Sequence, residues 1–210
     1  MTRIPMFSVD VLARHWSLPQ MSAFEHVTAL LSFVYALALT HLLARIAELI
    51  IARERVKFSG LLALGMVNAV LMVFVNWLSL WDLRSVTNWD LASIAIQFLF
   101  AVSVYVICAL VGPKAPDDGT IDLEDFFWRQ RPYFYGALIA CLLLALLANL
   151  DFLKTPNAAL FVKENLGTLA ILVPTVVALI SRNRVVQWAA GVCFLVMIIG
   201  FAIMFSSTLG

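Results

Sequence analysis

Residues 21–51, MSAFEHVTALLSFVYALALTHLLARIAELII, decide the fold. About 20 predominantly apolar residues suffice for a membrane-crossing helix, and this run exceeds that. It also carries Glu25 at its start, His41 near its middle, and Arg45 and Glu48 one and two turns further on. Ionisable groups at bilayer depth are costly, so they normally face a bundle interior and find a partner. The stretch therefore predicts one helix of an all-α, polytopic transmembrane bundle.

Composition extends that reading to the whole chain. Of 210 residues, 63% are hydrophobic and only 13% charged, with a mean hydropathy of +0.96. A soluble domain usually carries about 25% charged residues, so lipid is expected to cover most of the outside. The length suits a single transmembrane domain over residues 1–210, without a soluble module of ordinary size. A net charge of +1 leaves no electrostatic footprint for a nucleic-acid partner. Cys108, Cys141 and Cys193 lie in apolar runs and form no C-x-x-C pair, which points to packing rather than to a disulfide or a metal site. The start of the chain, interrupted by Pro5 and Asp10, does not read as a removable signal peptide.

Taken in order, residues 1–20 read as an amphipathic tail, with Arg14, His15 and Trp16 before Pro19. Six spans follow, at 22–51, 60–81, 90–111, 133–150, 158–180 and 185–205. An interfacial helix is expected at 120–131, between spans three and four, since its acids precede its bases as the helix dipole favours and Phe126, Phe127 and Trp128 suit the headgroup level. Asp117-Asp118-Gly119 reads as a turn. Trp77, Trp81 and Trp89 suggest an interfacial belt. Gly136, Ala137 and Ala140 in the fourth span, and Gly191 and Gly200 in the sixth, are expected as close-approach positions, and Pro174 as a kink in the fifth.

Mid-depth polar residues crowd into the first three spans. Ser22 and Glu25 form an S-x-x-E capping box, so Glu25 has both a structural and a functional reading. At 100° per residue Glu25, Thr28, Ser32 and Tyr35 share one stripe of the first helix, while His41, Arg45 and Glu48 share another. Arg45 and Glu48 suit an i,i+3 ion pair. Asn68 and Asn76 in the second span and Gln97 in the third complete two polar layers. The polar interior is therefore expected among spans one to three, with the later spans as scaffold or subunit contact.

The run Phe24-Glu25 through Leu39-Thr40-His41-Leu42-Leu43, then Arg53-x-Arg55-Val56-x-Phe58, resembles a family of uncharacterised bacterial six-span integral membrane proteins of comparable length. Asp122-Leu123 and Phe127-x-Arg129-Gln130-Arg131 fit the same resemblance. It implies a six-span fold and brings no established activity. The size is also similar to small bacterial potassium channels of the lysosomal type, but their Arg-…-Phe-Ser-Asp signature in the first span is missing.

No H-E-x-x-H, P-loop, G-x-S-x-G or dinucleotide fingerprint occurs in a plausible context, so no enzyme and no cofactor are expected. The best expectation is an ion or proton channel or transporter using Glu25, Ser32, Tyr35, His41, Arg45, Glu48, Asn68, Asn76 and Gln97 as a polar path. Glu25 would then be the outer acceptor, His41 the mid-membrane relay and Arg45–Glu48 an inner constriction. The alternative is a membrane sensor or interaction subunit in which the same groups only lock helices together. Lipid is the expected partner, and the apolar second half suggests a homo-oligomer. Arg45, Arg53, Arg55, Lys57, Lys114, Arg129, Arg131, Arg182 and Arg184 fall on one side of a six-span chain. The positive-inside rule then predicts a cell (inner) membrane protein with both termini outside.

Overall fold

Apolar runs of this length satisfy their backbone groups in lipid only as helices or closed barrels, and the chain takes the first solution. The computed structural model describes residues 21–86, 89–116, 118–153 and 157–206, so the expected tail at 1–20 lies outside the described residues. Helix α1 spans Ala23–Ile51, α2 Gly60–Ser79, α3 Leu91–Val111, α4 Leu123–Leu153, α5 Ala158–Glu164, α6 Leu166–Ile180 and α7 Arg184–Ser206. Five of them, α2 counted with the 3-10 turn that extends it to Ser85, are long and apolar enough to cross a membrane. The α5–α6 pair, bent by 72°, makes a sixth if taken as one span. The protein is an all-α, multi-pass membrane protein.

Local chemistry sets the helix starts. Ser22 and Glu25 complete the expected capping box: the Glu25 backbone N–H donates to Ser22 Oγ, and the Ser22 N–H donates to the Glu25 carboxylate at 2.7 Å. Asp90 caps α3 by accepting from the Ser93 N–H at 2.7 Å. Asp122 accepts from the backbone N–H groups of Glu124 and Asp125 and so starts α4.

Two boundaries differ from the sequence expectation. The segment expected as a separate interfacial helix is helical, but it continues through Pro132 into the fourth span as part of α4. Proline removes one N–H from a helix interior, and the rest of the ladder carries the helix past it. The fifth run breaks at Asn165 rather than at Pro174, which lies inside α6. Asn165 is almost fully buried, at 1% exposure. Its side chain donates to Phe161 O and accepts from Asn149 Nδ2 at 2.6 Å. Those bonds hold the chain where α5 turns into α6.

The helices close a ring in the order α1, α3, α4, α6, α7, α2, with α2 also packed on α3 and α4. Leu31, Leu42, Leu62, Val104 and Ile107 are fully buried between them. Phe33, Ile51, Leu91, Val173 and Met204 stay exposed on the outside, as a lipid-facing surface requires. At one end, strand β1 (Val56–Lys57) pairs in parallel with β2 (Ile121–Asp122). Glu124 binds this end together: its carboxylate accepts from Ser59 Oγ and Arg184 at 3.2 Å each and from Trp128 Nε1 at 3.3 Å. The loops holding Lys57, Lys114 and Arg184 therefore gather at the same end of the bundle.

Candidate functional site: a small cavity lined by two buried amides

The residues expected to form the polar path separate into local pairs. Glu25 is exposed and engaged in its cap. Arg45 donates to Glu48 at 2.8 Å, the expected i,i+3 pair. Asn76 donates to Met72 O within its own helix at 2.7 Å. Tyr35 and Gln97 are buried, at 2% and 8% exposure, and Ser32 is half-buried. His41 is half-buried with its ring 5.8 Å from that of Tyr105, tilted by 49°. The α1–α3 seam thus holds His41, whereas Asn68 bonds to α7.

Asn68 instead joins a polar group that the sequence reading assigned to scaffold. Its Nδ2 donates to Gly191 O of α7 at 2.9 Å. Close packing makes this bond possible, since a Cβ on Gly191 would lie 2.7 Å from Leu64 Cδ2. Gln187, one turn into α7 and 1% exposed, donates through Nε2 to Ala178 O at 2.9 Å and to Ser181 O at 2.8 Å. Arg131 of α4, 7% exposed, brings one terminal nitrogen to the carbonyls of Ala178, Leu179 and Ser181 at 2.7, 3.0 and 2.5 Å. These are the carbonyls that a helix C-terminus leaves without intrahelical partners. A positive charge there also answers the negative end of the helix dipole.

Between these elements lies a cavity of about 30 Å³ lined by Asn68, Tyr135, Thr175, Gln187 and Gly191 among apolar neighbours. Asn68 Oδ1 and Gln187 Oε1 are buried without hydrogen-bond partners. Asn68 sits eight residues into α2, about 12 Å along it at 1.5 Å per residue, hence near the middle of a hydrocarbon core roughly 30 Å thick. Buried polar groups thus extend beyond the first three spans, where the sequence reading expected them. The cavity is walled by α2, α4, α6 and α7. Among the described residues no group of three His, Cys, Asp or Glu is placed to hold a metal ion.

No family model, curated protein sequence or solved structure matches this chain. The site is therefore read from its own geometry. Sequence reasoning missed Arg131, Tyr135, Thr175 and Gln187. Gln187 offered a signal, as a lone amide at the head of an apolar run. Arg131 looked like an ordinary interfacial base because its acceptors lie on a helix that follows much later in the chain.

Other sequence expectations fare variously. Trp77 and Trp81 are exposed, at 48% and 51%, as a headgroup-level belt requires, and the Arg84 guanidinium lies 4.7 Å from the Trp81 ring centroid. Gly119 has a positive φ of 78°, in keeping with the expected turn. Gly136 and Gly200 meet nothing within 4 Å where a Cβ would sit, so neither is the expected close-approach position. In the interface outside the spans, Lys57 Nζ lies 2.6 Å from Asp122 Oδ2. That hydrogen bond holds the Asp122 carboxyl below its ordinary value and lifts the Lys57 ammonium above its own.

Proposed function

We propose that this multi-pass membrane protein is a channel or transporter for a small polar species. An ion or a proton is the class that the polar groups of α1 suggest. One observation supports the transport reading above all: Asn68 Oδ1 and Gln187 Oε1 are buried and unpartnered on two residues that line one cavity. An unsatisfied buried acceptor costs about 1–3 kcal/mol, and a passing species that completes those bonds accounts for the cost. Tyr35 and His41 of α1 and Gln97 of α3 supply further polar groups for such a route. The purified protein in liposomes is expected to move protons, alkali cations or small polar solutes above the protein-free background. Gln187→Leu should remove most of that flux, and wild-type vesicles indistinguishable from empty ones would end the proposal.

A sensor or interaction subunit is the second reading, favoured by bonds that tie helix to helix: Asn149 to Asn165, Asn68 to Gly191 and Arg131 to the end of α6. It predicts that His41→Ala lowers the melting temperature and changes no flux. We place the basic end of the bundle in the cytoplasm of the cell (inner) membrane, with both termini outside. Self-association through the apolar face of α7 is part of the same proposal, and a strictly monomeric mass in detergent would remove it.

A further inference from the structure

We infer that the cavity between α2, α4, α6 and α7 takes an uncharged hydrogen-bond donor about the size of a water molecule, namely water or ammonia, rather than a metal cation. As a statement about the permeant this rests on the transport reading above; as a statement about what occupies the cavity it does not.

The hydrogen bonds fix which way each amide is turned. Backbone carbonyls only accept, so the amide nitrogens of Asn68 and Gln187 must point at Gly191 O and at Ala178 O and Ser181 O. Exchanging nitrogen and oxygen in either amide would set oxygen against oxygen. Both amide oxygens are thereby turned away from these carbonyls and left unpartnered, on a cavity that both residues line. Thr175 adds an acceptor of the same kind, because its hydroxyl hydrogen is spent on Ile171 O at 2.7 Å while its lone pairs stay free. The occupant must therefore bring hydrogens.

Size and charge narrow the choice. A cavity of about 30 Å³ has room for about two molecules the size of water, since roughly 10–15 Å³ of such space suffices for one. No Asp, Glu, His or Lys is among the described lining residues. The nearby charge is positive: Arg131 shares the Ala178 and Ser181 carbonyls with Gln187. The α6 C-terminus that it caps supplies only about half a negative charge, so a positive remainder faces any cation in a medium of low dielectric. An anion is excluded by the unpaired acceptor oxygens. A neutral donor satisfies both conditions.

The test uses the full chain in liposomes. Osmotic water permeability and ammonia entry, the latter read by an internal pH dye, are measured beside potassium and sodium uptake. At least a fivefold rise over empty vesicles is expected in one neutral permeability, with alkali-cation uptake at background. Gln187→Leu and Asn68→Leu, each purified as a folded species, should return that permeability to background. Alkali-cation uptake that either variant abolishes would overturn the neutral class and leave the transport reading standing. If nothing moves, the transport reading falls alone, and a high-resolution structure in lipid decides occupancy. A water bridging Asn68 Oδ1 and Gln187 Oε1 sustains the site, whereas a dry or metal-filled cavity overturns it.

Discussion

The Arg131 guanidinium donates a 2.7 Å hydrogen bond to the carbonyl of Ala178, 47 residues later in the chain. One nearly buried cation thereby closes the end of α6 and fastens it to α4. Removing it takes the donor from the Leu179 carbonyl and leaves those of Ala178 and Ser181 to Gln187 alone.

Arg131→Leu is accordingly expected to destabilise the bundle by about 3 kcal/mol, the scale for leaving buried polar groups unpaired. Arg131→Lys should recover part of the loss, since an ammonium keeps the charge but lacks the planar fork. Thermal melting in detergent reads both, and a Leu variant that melts with the wild type would refute this role.

Gly191 and Gly200 form a matched pair on α7. A methyl group at 191 meets Leu64 Cδ2 at 2.7 Å, while one at 200 meets nothing within 4 Å. Gly191→Ala should cost about 1–3 kcal/mol through overpacking and loosen the Asn68 bond. Gly200→Ala should be neutral or stabilising by up to about 1 kcal/mol, since alanine is the better helix former. Equal melting shifts in the two variants would contradict the close approach.

Glu25 separates capping from conduction. Ser22→Ala removes the side-chain acceptor and should cost about 1 kcal/mol, whereas Glu25→Gln keeps a capping-box residue and should cost less. If the carboxylate only caps α1, flux in Glu25→Gln matches the wild type. A large loss of flux without a change in melting would instead make it the outer acceptor of the sequence reading.

The Lys57–Asp122 pair ties β1 to β2 in a definite pH window. Asp122 titrates below its ordinary 3.8, so its contribution is present above that pH and is lost as pH falls through the lowered value. Lys57 titrates above its ordinary 10.5, so its contribution is present below that pH and is lost as pH rises through the raised value. Amide exchange at residues 56–58 should thus be protected at a constant level between about pH 4 and pH 10, after correction for the intrinsic rate. Faster exchange is expected in Asp122→Asn across the whole window. A step in protection near neutral pH would point to a different titrating group.

Much of this architecture was legible in the chain itself. The Ser22–Glu25 box, the Arg45–Glu48 pair and the ends of α1 and α3 follow from residues at most four apart, where sequence spacing equals spatial spacing. The break at Asn165 and the run of α4 through Pro132 were not legible for one reason. Proline removes a single hydrogen bond, and whether a helix survives depends on what packs around it. At Asn165 the deciding bond comes from Asn149 on α4, with α5 between them in the chain.

By itself the sequence determined that lipid is the solvent of this protein, because hydropathy sums over residues without needing their arrangement. It also determined where α1 begins, through a cap that acts within one turn. Only the tertiary structure decided where the polar interior lies. Asn68, Arg131 and Gln187 come from three helices, and each finds its acceptor on another element or across the Ser181 turn. Ring closure of the bundle, not any local pattern, brings two buried amides to the same cavity.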